Sequence, residues 1–205
     1  EDSHLLIIVV LLTLLFYFFI IPDEGIFSIL LAVISSVSTS GISIYSSNFD
    51  VSLFFILMTI IGGSLISTSS GFKYIRFYIL LKISYQEIYK LVKPKNIFNR
   101  NLFRSDSQFD DQDTKIAFLV FISFIFAIFI LSSILALDTL SFENSFKLSI
   151  LTLTNTVASS IYGMDNLMFF DMNSFTKMSL MIFMIFGKIE IIALLFLIKK
   201  FIFRE

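Results

Sequence analysis

Residues 25–43 read Gly25-Ile26-Phe27-Ser28-Ile29-Leu30-Leu31-Ala32-Val33-Ile34-Ser35-Ser36-Val37-Ser38-Thr39-Ser40-Gly41-Ile42-Ser43, and this stretch decides the fold. The part from Gly25 to Val37 is largely apolar but has only 13 residues. Crossing a ~30 Å hydrocarbon core takes about 20 residues of helix, so this segment reads as a half-helix that enters the membrane and turns back. A strip of hydroxyl residues and one glycine follows. Irregular backbone of that kind survives at membrane depth only where it lines a cavity or is buried in protein. Gly41 frees the chain to turn carbonyls toward one axis. The half-helix aims the negative end of its dipole the same way. Together these features describe a ring of oxygens that can replace the water around a cation. A polar loop that merely caps a buried helix is the plainer alternative.

The rest of the chain agrees with a membrane setting. Of its 205 residues, 57% are hydrophobic and 15% charged, and the mean hydropathy is +0.91. Soluble domains run at about 45–50% apolar and about 25% charged, which excludes an ordinary water-soluble enzyme. There is no cysteine, so no disulfide or thiolate metal site. The single histidine, His4, removes histidine triads and multi-histidine metal sites. The chain opens Glu1-Asp2-Ser3 with no methionine and no basic leader, and it reads as part of a longer protein.

Four apolar runs qualify as spans: Leu5 to Ile21, Val51 to Ile66, Ile116 to Leu137, and Ser174 to Phe203. A second short apolar segment, Phe142 to Val157, lies between the third and fourth and reads as another half-helix. Basic residues cluster between spans two and three (Lys73, Arg76, Lys82, Lys90, Lys93, Lys95, Arg100, Arg104 and Lys115) and again at Lys199, Lys200 and Arg204. The positive-inside rule therefore places 73–115 and the C-terminus in the cytoplasm. Loops on the opposite side carry Asp23, Glu24, Asp50, Asp138, Glu143, Asp165 and Asp171, an acidic mouth that concentrates cations. Residues 93–114 are the one long polar stretch and read as a linker between a first unit, 1–92, and a second, 115–205.

The two units repeat the order span, acidic loop, half-helix, hydroxyl strip, span. At an offset of 117 residues, Ser38-Thr39-Ser40-Gly41-Ile42 falls on Asn155-Thr156-Val157-Ala158-Ser159, with alanine at the glycine position. Both copies run in the same direction, which suits a central pore better than the inverted repeats of many secondary transporters. The expected fold class is an all-α membrane protein, with two parallel helix, re-entrant pore helix, helix repeats of a potassium-channel-like pore.

Two further features bear on permeation. Gly62, Gly63, Ser64, Ser67, Thr68, Ser69, Ser70 and Gly71 are crowded into the second span, where a helix should break. A loop formed there could obstruct a pore as a gate; small-residue packing between helices is the plainer reading. Lys188 lies near the middle of the fourth span. There it is costly unless it faces a cavity or a partner, and below a cation filter it would act as an electrostatic barrier. A structural ion pair is the alternative.

These stretches resemble the Trk/Ktr/HKT-type potassium transport subunits, most closely their bacterial TrkH branch. Ser38 to Ile42 is similar to the filter segment of that family's third repeat. Gly62 to Arg76 (GGSLISTSSGFKYIR) is similar to its Gly/Ser-rich intramembrane loop and basic exit, and Gly187-Lys188-Ile189-Glu190-Ile191 to the Gly-Arg-Leu-Glu motif of its last inner helix. The resemblance implies that this chain holds the third and fourth of four pore repeats, the other two lying in a longer chain or another subunit. It implies K+ as the permeating ion with no covalent cofactor, a homodimer in the bacterial inner membrane, contact with lipid, a cytosolic nucleotide-binding regulatory subunit, and no nucleic-acid partner. Ala158 and Lys188 depart from the family pattern.

Two other readings stay open. One is a less selective sodium/potassium channel built from dimerised two-repeat chains. The other is a non-transport membrane enzyme or assembly protein. Against an enzyme, the sequence holds no Walker loop, no HExxH and no nucleophile elbow, and Ser67 to Ser70 lack P-loop spacing. Asp106, Asp110, Asp111 and Asp113 read as solvated linker charge.

Overall fold

In a computed structural model, the structure describes residues 2–20, 25–42, 52–64, 67, 69–93, 110–138, 140–157, 162, 164 and 172–188. Helix α1 (Asp2–Leu15) continues into a π-helical turn over Phe16–Ile20. Helix α2 (Ile26–Ser38) follows, then α3 (Ser52–Ile60). Two-residue strands β1 (Ile61–Gly62) and β2 (Phe72–Lys73) lead to α4 (Tyr74–Val92). The second unit comprises α5 (Asp111–Ala136), α6 (Phe142–Leu153) and α7 (Ser174–Lys188). The expected all-α fold is observed, with half-helix α2 set between α1 and α3 and half-helix α6 between α5 and α7.

Among the described residues, two helices, Asp2–Phe19 and Asp111–Ala136, are long and apolar enough to cross a membrane. The surface has the distribution expected in lipid. Leu6, Ile7, Phe18, Phe19 and Phe126 are exposed, while Ser145, Ser149, Thr152, Thr154 and Thr156 are completely buried. Buried hydroxyls in a low-dielectric interior need acceptors. Most find them one turn back: Ser36 on Ala32 O at 2.9 Å, Ser149 on Ser145 O at 2.7 Å, Thr152 on Leu148 O at 2.6 Å. Packing then draws on dispersion and hydrogen bonding, because lipid tails are as apolar as the side chains they would replace.

The core joins both units. Phe16, fully buried at the start of the π-helical turn, stacks on Phe55 of α3 with ring centres 5.2 Å apart and meets Phe54 edge-on. Leu148, Leu151 and Leu153 of α6 belong to the same cluster as Ile29 and Val33 of α2 and Leu131 and Leu135 of α5. A smaller cluster around Ile79 and Ala117 seats α4 on the first turns of α5. Phe72 adds an edge-on contact to Phe121.

The second span breaks where its glycines crowd: helix ends at Ile60, and Ile61–Gly62 pairs with Phe72–Lys73. Two sequence expectations change. The polar linker ends earlier than 114. Asp110 is the N-cap of α5 and forms a capping box with Asp113, so Asp110, Asp111 and Asp113 start a helix, where their charge favours its positive end. The repeat offset is 116, not 117. Ile20 and Ala136 end the first helical element of each unit, Gly25 and Ser141 are the N-caps of α2 and α6, and Thr39 and Asn155 take left-handed backbone just after them. Hydrophobic matching tolerates a one-residue slip, whereas the helix caps do not. Asp106, the remainder of 94–109 and the end of the fourth span, 189–205, lie outside the described residues.

Candidate functional site

The site begins where the two half-helices end. The α2 terminus closes when the Ser40 amide bonds to Ser35 O at 3.1 Å, with Thr39 at φ 52°. The α6 terminus closes in the same way: the Thr156 amide reaches Leu151 O at 2.9 Å, with Asn155 at φ 57°. Both are Schellman-type ends. Asparagine tolerates left-handed backbone, but a β-branched threonine there is an outlier, at a cost of about 1–2 kcal/mol. The left-handed turn thus recurs at matched positions, and only Thr39 carries strain for it.

The two strips touch. A Cβ on Gly41 (φ 69°) would lie 3.4 Å from Thr156 Cα, so the first strip runs against the backbone of the second. Thr39 and Thr156 are buried, Gly41, Asn155 and Val157 partly so, and Ser38, Ser40 and Ile42 are exposed. At offset 116 the counterpart of Gly41 is Val157, not Ala158. Ala158 and Ser159 lie outside the described residues.

The chain between β1 and β2 forms the second part. These strands pair in parallel, Ile61 with Phe72 and Gly62 with Lys73, so the backbone leaves α3, makes an excursion and returns in its original direction. Lys73, only 6% exposed, closes that excursion. Its ammonium donates to Ser67 O at 2.6 Å, Ser69 O at 2.8 Å and Ser69 Oγ at 3.4 Å. The Gly63 amide bonds Ser69 Oγ at 2.9 Å, and Ser67 Oγ donates to Ser64 O at 2.8 Å. A buried ammonium is costly unless its donors are taken up, and the loop carbonyls do so here. The glycines are steric necessities: a Cβ at Gly62 would collide with the Ser70 carbonyl, and one at Gly71 (φ 86°) would lie 2.8 Å from Thr59 O. Thr68 lies outside the described residues.

Ser70 joins the two parts. Its amide donates to Thr39 Oγ1 at 2.9 Å, and its hydroxyl accepts from Asn155 Nδ2 at 3.0 Å. Asn155 Nδ2 also donates to Met184 O of α7 at 3.0 Å. One loop residue is thus held by the left-handed residue of each half-helix. A cavity of about 300 Å³ lies beside this junction, lined by Val9, Ile34, Val37, Ser38, Gly63, Ser67 and Ser69.

Gly187 packs directly on the carbonyl of Leu153, the last residue of α6, a contact that a Cβ would prevent. Lys188 follows and is exposed in the single chain. Asp138 orders the opposite end of α7. Its carboxylate accepts the Asn173 amide at 2.9 Å and the Asn173 side chain. The Asn173 amide bond first, then a Thr176 hydroxyl bond, hold its pKa below the ordinary carboxylate range. A hydrogen bond from Lys147 lowers that of Glu143.

Tyr162 was not apparent from the sequence. It is fully buried, and its hydroxyl meets Ser36 Oγ at 3.3 Å across 126 residues. A lone tyrosine among Ser, Gly and Asp residues carries no signal by spacing; a fully buried phenol bonded across the two units does.

These features define a class: a helical membrane protein of two parallel units, each with a re-entrant half-helix ending at a shared junction. The chain superposes on the crystal structure of the potassium transporter TrkH from Vibrio parahaemolyticus with a TM-score of 0.79 at 22% sequence identity, covering 94% of this chain and 42% of that one. The chain therefore spans less than half the length of that structure. The likeness is one of fold. No protein-family model and no curated protein matches the sequence.

Proposed function

We propose that this chain supplies two repeats of a potassium-conducting pore, with Ser38 to Ile42 and Asn155 to Ser159 as filter strips and the 62–71 loop as a gate. The observation that carries this reading is the junction at Ser70. Two half-helices end in the same left-handed turn, their strips lie against one another, and a polar loop is bonded to both turns. The negative helix ends favour a cation at that junction. The fold shared with a potassium transporter supports K+ as the ion. No catalytic constellation is needed for passive or gated permeation.

In this reading the remaining two repeats come from a longer chain or another subunit, and the assembly is a homodimer in a bacterial inner membrane. The basic helix α4 then faces the cytoplasm, where a nucleotide-binding regulatory subunit would engage it. Asp138 and Glu143 lie at the opposite, cation-collecting mouth. Lys188 acts as a fixed positive charge that slows permeation.

Rubidium uptake into uptake-deficient bacteria expressing the complete gene tests the reading, with potassium and sodium as competitors. Uptake blocked by potassium and not sodium is the expected result. Equal block by both keeps the pore and removes its selectivity. Absence of uptake with the protein in the membrane overturns transport.

A further inference from the structure

Tyr162 belongs to neither strip as read from the sequence, yet it contacts elements of both units. Its side chain is fully buried, and a buried phenol needs a hydrogen-bond partner. Its partner is Ser36, in the last turn of α2, at 3.3 Å. Ser36 is itself held by the Ala32 carbonyl, and Thr156 Oγ1 lies 2.8 Å from Thr154 Oγ1. The phenol thus ties the last turn of the helix behind the first strip to the second unit. In front of it, Gly41 lies against Thr156 Cα.

We propose that Tyr162 is a positioning residue for ion selectivity: a rigid strut between the two units that fixes the spacing of their filter strips. A ring with two torsions transmits distance better than a flexible side chain, and the hydroxyl contact at its tip sets the register. Selectivity based on carbonyl coordination depends on how far the oxygens can relax around a smaller ion. A strut behind the strips limits that relaxation without touching the ion. The inference rests on the pore reading above and adds a specificity-determining residue to it.

The test uses the full-length protein, with Tyr162→Phe, which keeps the ring and removes the hydroxyl, and Ser36→Ala, which removes a partner. Rubidium uptake is measured against potassium and sodium competition, together with thermal stability of the purified protein. Tyr162→Phe should leave uptake in place and lower potassium-over-sodium preference roughly five- to tenfold, the factor of one net hydrogen bond. Ser36→Ala should act in the same direction, and the double variant should lose less than the two single losses combined. Selectivity within twofold of the parent in Tyr162→Phe, with only a lower melting temperature, overturns the proposal and leaves a packing residue. Amide exchange across 35–41 and 151–157 provides a readout independent of transport. If the parent takes up no rubidium, the pore reading fails and with it the selectivity role. Faster exchange in both segments of Tyr162→Phe then retains only the strut, and unchanged exchange removes that as well.

Discussion

The Ser70 amide donates to the Thr39 hydroxyl at 2.9 Å, tying the end of a loop between β1 and β2 to the strained residue that ends a half-helix 31 positions earlier. The turn itself, with Thr39 at φ 52°, is closed by backbone bonds to Ser35 and Ser36. Asn155 mirrors the Thr39 bond from the other unit by donating to Ser70 Oγ at 3.0 Å.

Removing this latch should loosen the loop and spare the half-helices. Thr39→Val keeps the shape but leaves the buried Ser70 amide unpaired, at a cost of about 1–3 kcal/mol. Asn155→Gly preserves the left-handed turn and removes both side-chain bonds. Each is expected to raise the rate of rubidium uptake, with the larger effect in the double variant. Unchanged rates in all three would show that the loop does not limit flux.

Lys73 is the pin of the loop itself. Lys73→Met withdraws a charged donor from the Ser67 and Ser69 carbonyls, bonds worth about 1.5–3 kcal/mol each when one partner is ionised. These 205 residues hold no cysteine, so Ser67→Cys gives one labelling site within them. Thiol reagent should modify it several-fold faster with methionine at 73, and Lys73→Arg should restore part of the protection. Equal labelling rates would place the closure of the loop elsewhere.

Gly187 faces the Leu153 carbonyl carbon, which a Cβ would approach to 2.7 Å. Backbone cannot yield as a flexible side chain can. Gly187→Ala should therefore displace α7 from α6 and destabilise the protein by about 3 kcal/mol or more. A melting temperature within a degree or two of the parent would refute that packing.

Asp138 sets an acid limit on stability. Its folded pKa is depressed, chiefly by the Asn173 amide. The contribution is therefore complete above the unfolded carboxylate value, about 3.9, and is lost as pH falls through that value toward the lower folded one. Melting temperature should fall below about pH 4, and Asp138→Asn should flatten part of that fall. Glu143, also depressed, accounts for another part. Identical acid profiles for parent and variant would remove Asp138 from the account.

The half-helices were legible because length alone separates them from spans: Gly25 to Val37 was expected and Ile26–Ser38 is observed. The break in the second span was legible because glycine at 62 and 63 opposes helix. The pairing across that break was not, because Ile61 and Phe72 meet in parallel only once the loop has folded. The repeat was legible as an order of elements but slipped by one residue. Apolar runs drift without penalty, whereas the left-handed positions of Thr39 and Asn155 are set by the pair of backbone bonds that closes each half-helix. The linker acids were misread because a capping box, Asp110 with Asp113, resembles solvated charge when the helix behind it is not yet placed.

Composition and spacing by themselves determined a membrane chain of two similar units, each with a short apolar segment and a hydroxyl strip, because hydrophobic length and glycine placement act locally. The tertiary structure alone decided that Ser70 joins both strips, that Lys73 is buried among loop carbonyls, and that Tyr162 spans the two units. Those relationships depend on contacts between residues up to 126 positions apart, which no local propensity encodes.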